Sequence, residues 1–393
     1  MQKRIDLRII IAVAVLSLIG LLMIFSTAPL TVFYRQVIWL LCSVLVAIVF
    51  SRISPRIWCN LAPYIYAGLI VLLVLLLVVR PGAYPSRWFR FGSVFLQPSE
   101  FAKFATVLFL ANILAVKKRM QSYRDMFAPL AAVIVPALLV FIEPDLGAAQ
   151  IFFPIAILML YWSGTRAAKL FVFFSPIVSI AASFNIYIWV AYFAGLAVFL
   201  YFQKQMVDFI YGMVSNFLAG LITPVVWSSL KTYQQQRIIS FFSPWVDPQG
   251  MSWQIIQSKI AIGSGRLIGK GFLSGTQKKL AFLPERHTDF IFSCLGEEFG
   301  LLGVLLTTIV FIYLLYRLLV LAKETKNRFA SIFVSGVFAW IGYQMLLNIG
   351  MTMGLLPITG VPLPFISYGG SSLLATFMAL GICFSISRTR FNY

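Results

Sequence analysis

Charge is scarce in this sequence. Of 393 residues only 11% are Asp, Glu, Lys or Arg, while 61% are hydrophobic and the mean hydropathy is +0.92. Soluble domains carry about a quarter charged residues, so that class is excluded. A polytopic α-helical membrane protein fits, because lipid offers backbone polar groups no partners and each must be satisfied within its own helix. Acidic residues are the scarcer sign, 12 against 31 Lys and Arg, which leaves a formal net charge of +19. The basic residues sit in short segments between apolar runs, so the excess does not mark nucleic-acid binding and no such partner is expected. Cysteine is also rare. Cys42, Cys59, Cys294 and Cys383 are scattered through apolar segments without ligand spacing, which implies neither a disulfide nor a zinc site. No internal repeat is visible, which argues against an inverted-repeat transporter.

What is abundant is uninterrupted apolar length. Lys3, Arg4 and Arg8 precede a run from Ile9 to about Ala28, long enough to span and therefore read as a retained first helix rather than a signal peptide. Further runs predict spans at 36–51, 58–79, 98–116, 127–142, 147–163, 170–184, 187–203, 207–230, 290–316, 329–350 and 371–387. The fold class is thus all-α, a bundle of about 12 transmembrane helices in one domain over 1–393. Spans 127–142, 147–163 and 170–184 are short for a bilayer, which predicts tilted, kinked or broken helices.

Lys and Arg collect in 1–8, 51–57, 117–126, 164–169, 204–206, 317–328 and 388–393, whereas the short loops 143–146, 185–186 and 351–370 hold none. By the positive-inside rule both termini are cytoplasmic. Two outer segments break the pattern. One is 80–97, with Arg80, Arg87 and Arg90; the other is the large loop 231–289, with Lys and Arg far outnumbering Asp247, Glu285 and Asp289. They read either as solvated surface or as a site for an anionic ligand such as a diphosphate.

Four motifs concentrate the polar residues. The first, 283–300, contains the only histidine, His287, with Arg286, Asp289, Glu297 and Glu298 around the change from polar loop to apolar run. Asp289 is either a helix cap or a reactive carboxylate, and Glu297 is placed by helical periodicity within about 80° of it, on a shared face. The second is Arg87-Trp88-Phe89-Arg90 followed by Gln97-Pro98-Ser99-Glu100 and Lys103, an interfacial segment leading into a helix. Glu100 and Lys103 are i, i+3 neighbours, either a brace or a lysine presented to a phosphate. The third, Glu143-Pro144-Asp145, is a tight outer turn whose carboxylates either cap a helix or hold Mg²⁺ or Mn²⁺. The fourth, 356–372, has proline and glycine too dense for a straight helix and leads through Ser371 into a helix N-terminus suited to an anion.

With these motifs in this order the chain resembles the SEDS family (shape, elongation, division and sporulation), its RodA branch more than its FtsW branch. The matching stretches are 87–103, 143–147, 233–237 leading to 253–265, 284–300 and 348–372. The run Pro284-Glu285-Arg286-His287-Thr288-Asp289-Phe290-Ile291-Phe292 is highly specific. Arg286, where division-type members usually have alanine, and Gly275-Thr276-Gln277 point to the RodA branch. The resemblance implies a peptidoglycan glycosyltransferase of the bacterial cytoplasmic membrane that polymerises lipid II at its outer face for elongation and rod shape. It places the family's essential aspartate on Asp289, its tryptophan on Trp88, and its polar cavity residues on Glu100, Lys103, Glu143 and Asp145.

On this reading Asp289 is the general base, or the ligand of a divalent cation held with Glu143 or Asp145. Lys103, Arg286, Arg87 and Arg90 bind the diphosphate beside Trp88, and Glu100, His287, Glu297 and Ser371 support the cavity. No organic cofactor is expected. The implied partners are lipid II, the nascent glycan strand, a class B penicillin-binding protein transpeptidase and other elongation-complex membrane proteins. Competing readings are a division polymerase of the same family, a lipid II flippase without chemistry, and a scaffold. One departure stands out: 165–230 has room for three spans where family members usually have one.

Overall fold

The computed structural model describes residues 6–79, 87–92, 94–116, 123–230, 232, 235, 236, 239, 251–275 and 285–389. Helices α1 (Leu7–Thr27), α2 (Leu30–Arg52) and α3 (Pro55–Val79) come first, separated by very short links. A two-stranded antiparallel hairpin, β1 (Phe89–Phe91) with β2 (Val94–Leu96), leads into α4 (Pro98–Val116) and α5 (Tyr123–Ile142). Then come α6 (Leu146–Ala149), α7 (Phe152–Trp162), α8 (Ala167–Ala182), α9 (Ile186–Gln203) and α10 (Met206–Ser229). The large loop contributes α11 (Met251–Ser264), followed by α12 (Ile291–Glu324), α13 (Arg328–Thr352) and α14 (Gly370–Thr389). Among the described residues ten helices are long and apolar enough to cross a membrane. Two shorter apolar stretches, Leu146–Trp162 and Ala167–Ala182, complete the predicted twelve.

Local chemistry sets the helix ends. The side chains of Asp6, Asn185 and Asn327 accept from the first free N–H groups of α1, α9 and α13. The short span 147–163 is broken as predicted, between α6 and α7 around Gln150 and Ile151. The alternation of arginine with aromatics around Arg90 proves to be strand periodicity: the predicted interfacial segment is the hairpin, turned at Gly92 with φ 61°.

The predicted span 290–316 is corrected more substantially. Gly300, at φ 63° and ψ −161°, breaks α12. Residues 291–298 are wholly buried, and the lipid-facing surface begins beyond the break, with Leu302 61% exposed. A Cβ at Gly300 would stand 2.4 Å from the Gly269 nitrogen, so the close approach of loop 265–275 requires glycine there. Leu301 and Leu302 donate to the carbonyls of Arg266 and Leu267 at 2.9 and 3.1 Å, pinning the bend.

Burial separates the centre of the bundle from its rim. The hydrophobic windows of α4, α13 and α14 are 67%, 72% and 72% buried, against 17% for α2 and α3 and 11% for α9, so the first three form the core. The extra material at 165–230 is α8, α9 and α10, which pack mainly on one another around Val172, Leu196 and Leu200 and join the main bundle through α7.

Candidate active site

The loop before α12 folds back on one carbonyl. Glu285 O accepts from the N–H groups of Thr288, Asp289 and Phe290 at 3.3, 3.1 and 3.1 Å. The cap position of α12 falls on Phe290 and has no side-chain cap bond, so helix capping is not what the Asp289 motif supplies. Segment 348–369 grips the turn from the other side. Asn348 Nδ2 donates to the carbonyls of Asp289 (3.0 Å) and Val361 (2.8 Å). Ser367 Oγ donates to Thr288 O at 2.5 Å, and Tyr368 N donates to His287 O at 2.9 Å. Gly360, at φ 70°, lies beneath the carboxylate: a Cβ there would come 3.3 Å from Asp289 Oδ2. The half-buried Asp289 side chain therefore has its backbone fixed on two sides and a bare glycine below it.

The other motifs close a ring with this one. Gln97 Nε2 donates to Asp145 Oδ2 at 2.9 Å, and Ala148 N donates to Asp145 Oδ1 at 3.1 Å. Gln97 N donates to Ser371 Oγ at 3.0 Å, and Ser371 Oγ donates to Phe95 O at 3.3 Å. Arg87 donates to the carbonyl of Pro144. Gly147 packs against Thr359, where a Cβ would stand 2.2 Å from the carbonyl oxygen. Arg87, Asp145, Ser371 and the Asp289 turn are thereby brought together through loop 356–372. Trp88 and Arg286 are half-buried, Trp88 next to Arg87 in the chain and Arg286 in the Asp289 turn. The side chain of Arg90 lies outside the described residues, as do Pro284 and most of 231–250.

Below the ring lies a buried polar seam between α4 and α13. Lys103 Nζ is 2.7 Å from Glu100 Oε2 and 5.5 Å from the centre of the Trp340 ring. Lys103 is 0% exposed, so the brace is realised and the lysine presents no solvent-accessible ammonium to a diphosphate. Ser99, Thr106 and Gln344 of these helices, and Glu143 of the neighbouring turn, also bury polar atoms without hydrogen-bond partners among the described residues. Burial first, then the charge of Asp145, push the Glu143 carboxyl, in the turn outside the spans, up to about 8 against the opposing effect of Arg87. Burial also holds the His287 imidazole below its ordinary value, with Glu285 raising it and Arg286 lowering it. His287 is therefore neutral at pH 7 and lies beside Tyr368, with ring centres 5.8 Å apart and planes inclined at 57°, as a positioning group.

Two expectations fail here. Glu297 does not join the Asp289 cavity: Lys270 Nζ donates to it at 2.8 Å, and Ser26 and Leu273 N donate to Glu298 at 2.5 and 3.4 Å. Both glutamates fasten loop 265–275 because the break at Gly300 leaves them at the end of a buried helix rather than within a span. The trio Asp289, Glu143 and Asp145 does not fit as a divalent-cation cage. Among the described residues no three Asp, Glu, His or Cys side chains form a metal-binding group. Gln344 escaped the sequence reading, and Asn348, Gly360 and Ser367 lay within its motifs without being singled out. The available signal was two uncharged amides four residues apart in an apolar span, which share one helix face.

Comparison with known proteins matches a family model described as "Cell cycle protein" (FTSW_RODA_SPOVE) to residues 6–194 and 167–392, the two matches overlapping in the extra helices. Peptidoglycan glycosyltransferase MrdB of Escherichia coli (strain K12) is 36% identical over 349 residues, covering 88% of this chain and 82% of that one. A probable peptidoglycan glycosyltransferase FtsW of Geobacter metallireducens is 34% identical over 404 residues, covering 98% and 95%. A solved chain from work on the structural coordination of polymerization and crosslinking by a peptidoglycan synthase complex superposes with TM-score 0.75 at 27% identity, covering 99% of both chains.

Proposed function

The chain belongs to the FtsW/RodA/SpoVE family of cell cycle proteins, the SEDS peptidoglycan glycosyltransferases, and from that premise we propose that this multi-pass membrane protein polymerises lipid II at the outer face of the cytoplasmic membrane to serve elongation. The observation that carries the reading is the Asp289 turn. Its backbone is held by Asn348, Ser367 and Tyr368, its carboxylate lies over a bare glycine, and two arginine-bearing segments belong to the same ring. In the proposed step the acceptor sugar's 4-hydroxyl oxygen attacks the anomeric carbon of the lipid-linked donor. The bond from that carbon to the diphosphate oxygen breaks, the hydroxyl proton passes to Asp289, and undecaprenyl diphosphate departs. Arg87 and Arg286 meet the diphosphate charge, with Arg90 kept from the sequence reading, and Trp88 flanks them. A divalent cation belongs to this proposal only as a companion of the substrate's diphosphate, whose oxygens suit Mg²⁺ or Mn²⁺; EDTA followed by metal re-addition reads that dependence.

The synthase-complex relative couples polymerisation to crosslinking, which supports a class B penicillin-binding protein as partner, with other elongation proteins. The distribution of Lys and Arg supports two cytoplasmic termini. A division role is the second reading, favoured by the longer coverage of the FtsW relative. Depletion separates the two: rounding of cells indicates elongation and filamentation indicates division.

The decisive assay supplies lipid II to the purified chain and to Asp289→Ala and Asp289→Asn. Loss of a general base predicts a fall of about 10²–10⁴-fold in glycan polymer. Unchanged polymerisation removes Asp289 from the mechanism. Lipid II carried across a vesicle by the unaltered chain but left monomeric makes the protein a flippase.

A further inference from the structure

α1, α2 and α14 frame an open groove of about 530 Å³ that the polymerase reading does not use. Its walls include Ile10 and Leu21 of α1, Val44 of α2 and Phe384 of α14. The polar lining is confined to Ser17 and Ser51, and Ser51 spends its hydroxyl on Ile48 O at 2.7 Å. From Ile10 to Leu21 the groove extends about 16 Å at 1.5 Å per residue, about half of a 30 Å hydrocarbon core and therefore the depth of one leaflet. A single acyl chain of that length fits a groove of this size, and the charge at its mouth selects a lipid over an apolar helix.

Its mouth is cationic. Arg388 donates to the carbonyl of the lining residue Ser51 at 3.4 Å. Arg52 and Arg8 are exposed and lie one and two residues from the lining residues Ser51 and Ile10. The nearby acidic group, Asp6, is paired with Arg317 and does not offset them. We propose that this groove is a binding site for an anionic phospholipid of the cytoplasmic leaflet, with one acyl chain between α1 and α2 and its headgroup phosphate against Arg8, Arg52 and Arg388. The leaflet rests on the orientation proposed above, whereas binding is read in detergent micelles and stands or falls independently of it. Such a lipid has a route to the reaction centre. α2 holds loop 356–372 through Gln36, whose Nε2 donates to Ser367 O at 3.5 Å and whose Oε1 accepts from Gly369 N at 3.4 Å. α1 packs under the same loop at Gly20, where a Cβ would stand 2.4 Å from Phe365 O.

The test is native mass spectrometry of the full-length detergent-purified chain titrated with phosphatidylglycerol or phosphatidylcholine. An arginine beside an anionic lipid contributes about 1 kcal/mol, about fivefold in affinity. Phosphatidylglycerol should therefore bind at least about fivefold more tightly, and Arg8→Gln and Arg52→Gln should each weaken it about fivefold without changing phosphatidylcholine. Ala14→Trp, which fills the groove from its lipid-facing wall, should displace both lipids while keeping the parent's melting temperature. Equal affinity for the two lipids overturns the proposal, as does an Ala14→Trp variant that retains phosphatidylglycerol. A two-chain mass abolished by Ala14→Trp gives the groove to a second copy and overturns it equally.

Discussion

A lysine with no solvent exposure inside a membrane helix persists only if its charge is answered, and for Lys103 the answer is Glu100, 2.7 Å away. Removing one partner strands the other charge, at a cost of about 3–5 kcal/mol, whereas replacing both with apolar side chains of similar volume is far milder. Glu100→Ala is thus expected to lower the melting temperature in detergent sharply, and the double variant Glu100→Leu with Lys103→Met to recover most of the loss. Glu143 supplies a pH test. Its folded pKa of about 8 lies above the ordinary carboxyl value of 4.5, so its contribution to stability is full below about pH 4.5 and is lost as pH rises through 8. Glu143→Gln cannot ionise, so its stability relative to the parent should grow from pH 5 to about pH 8 and then level off in thermal unfolding; a flat difference throughout would refute the raised pKa. The motif already ranked Asp289 above Glu297 in the sequence, but it did not show where Glu297 would go: Lys270 takes Glu297, while the backbone of 348–368 frames Asp289.

Among the elements, the one that assembles the site is the proline- and glycine-rich segment 356–372. It touches the Asp289 turn through Gly360, Ser367 and Tyr368, the Glu143 turn through Thr359, and the start of α4 through Ser371. The contact of Gly147 with Thr359 is between backbones and has no side chain to yield, so Gly147→Ala must shift the loop. Polymerisation is expected to fall at least about tenfold with the fold retained, because a displacement of about 1 Å at a positioning element can cost 10²-fold; an unimpaired Gly147→Ala would show that the loop does not position the site. That the segment is irregular was legible from its prolines and glycines. Which motifs it joins was not, because each contact links residues far apart in sequence. The break at Gly300 was hidden for the same reason, since the demand for glycine comes from Gly269 in another loop.

For the molecule as a whole, the charge pattern predicts sidedness. In a background with the four cysteines replaced, Ser274→Cys in the large loop should react with an impermeant thiol reagent added outside spheroplasts. Lys326→Cys, between α12 and α13, should react only after permeabilisation; the reverse pattern would invert the topology. What the sequence determined by itself was the class, the twelve apolar segments and the motifs, because lipid allows few solutions for a backbone and makes every intramembrane charge conspicuous. Tertiary structure alone decided which polar groups meet. It paired Lys103 inward with Glu100, sent Glu297 to Lys270, and set α8, α9 and α10 apart around their own core. Those outcomes depend on helix rotation and loop closure, which hydropathy does not encode because it records how long a segment is buried and not which side of it faces which neighbour.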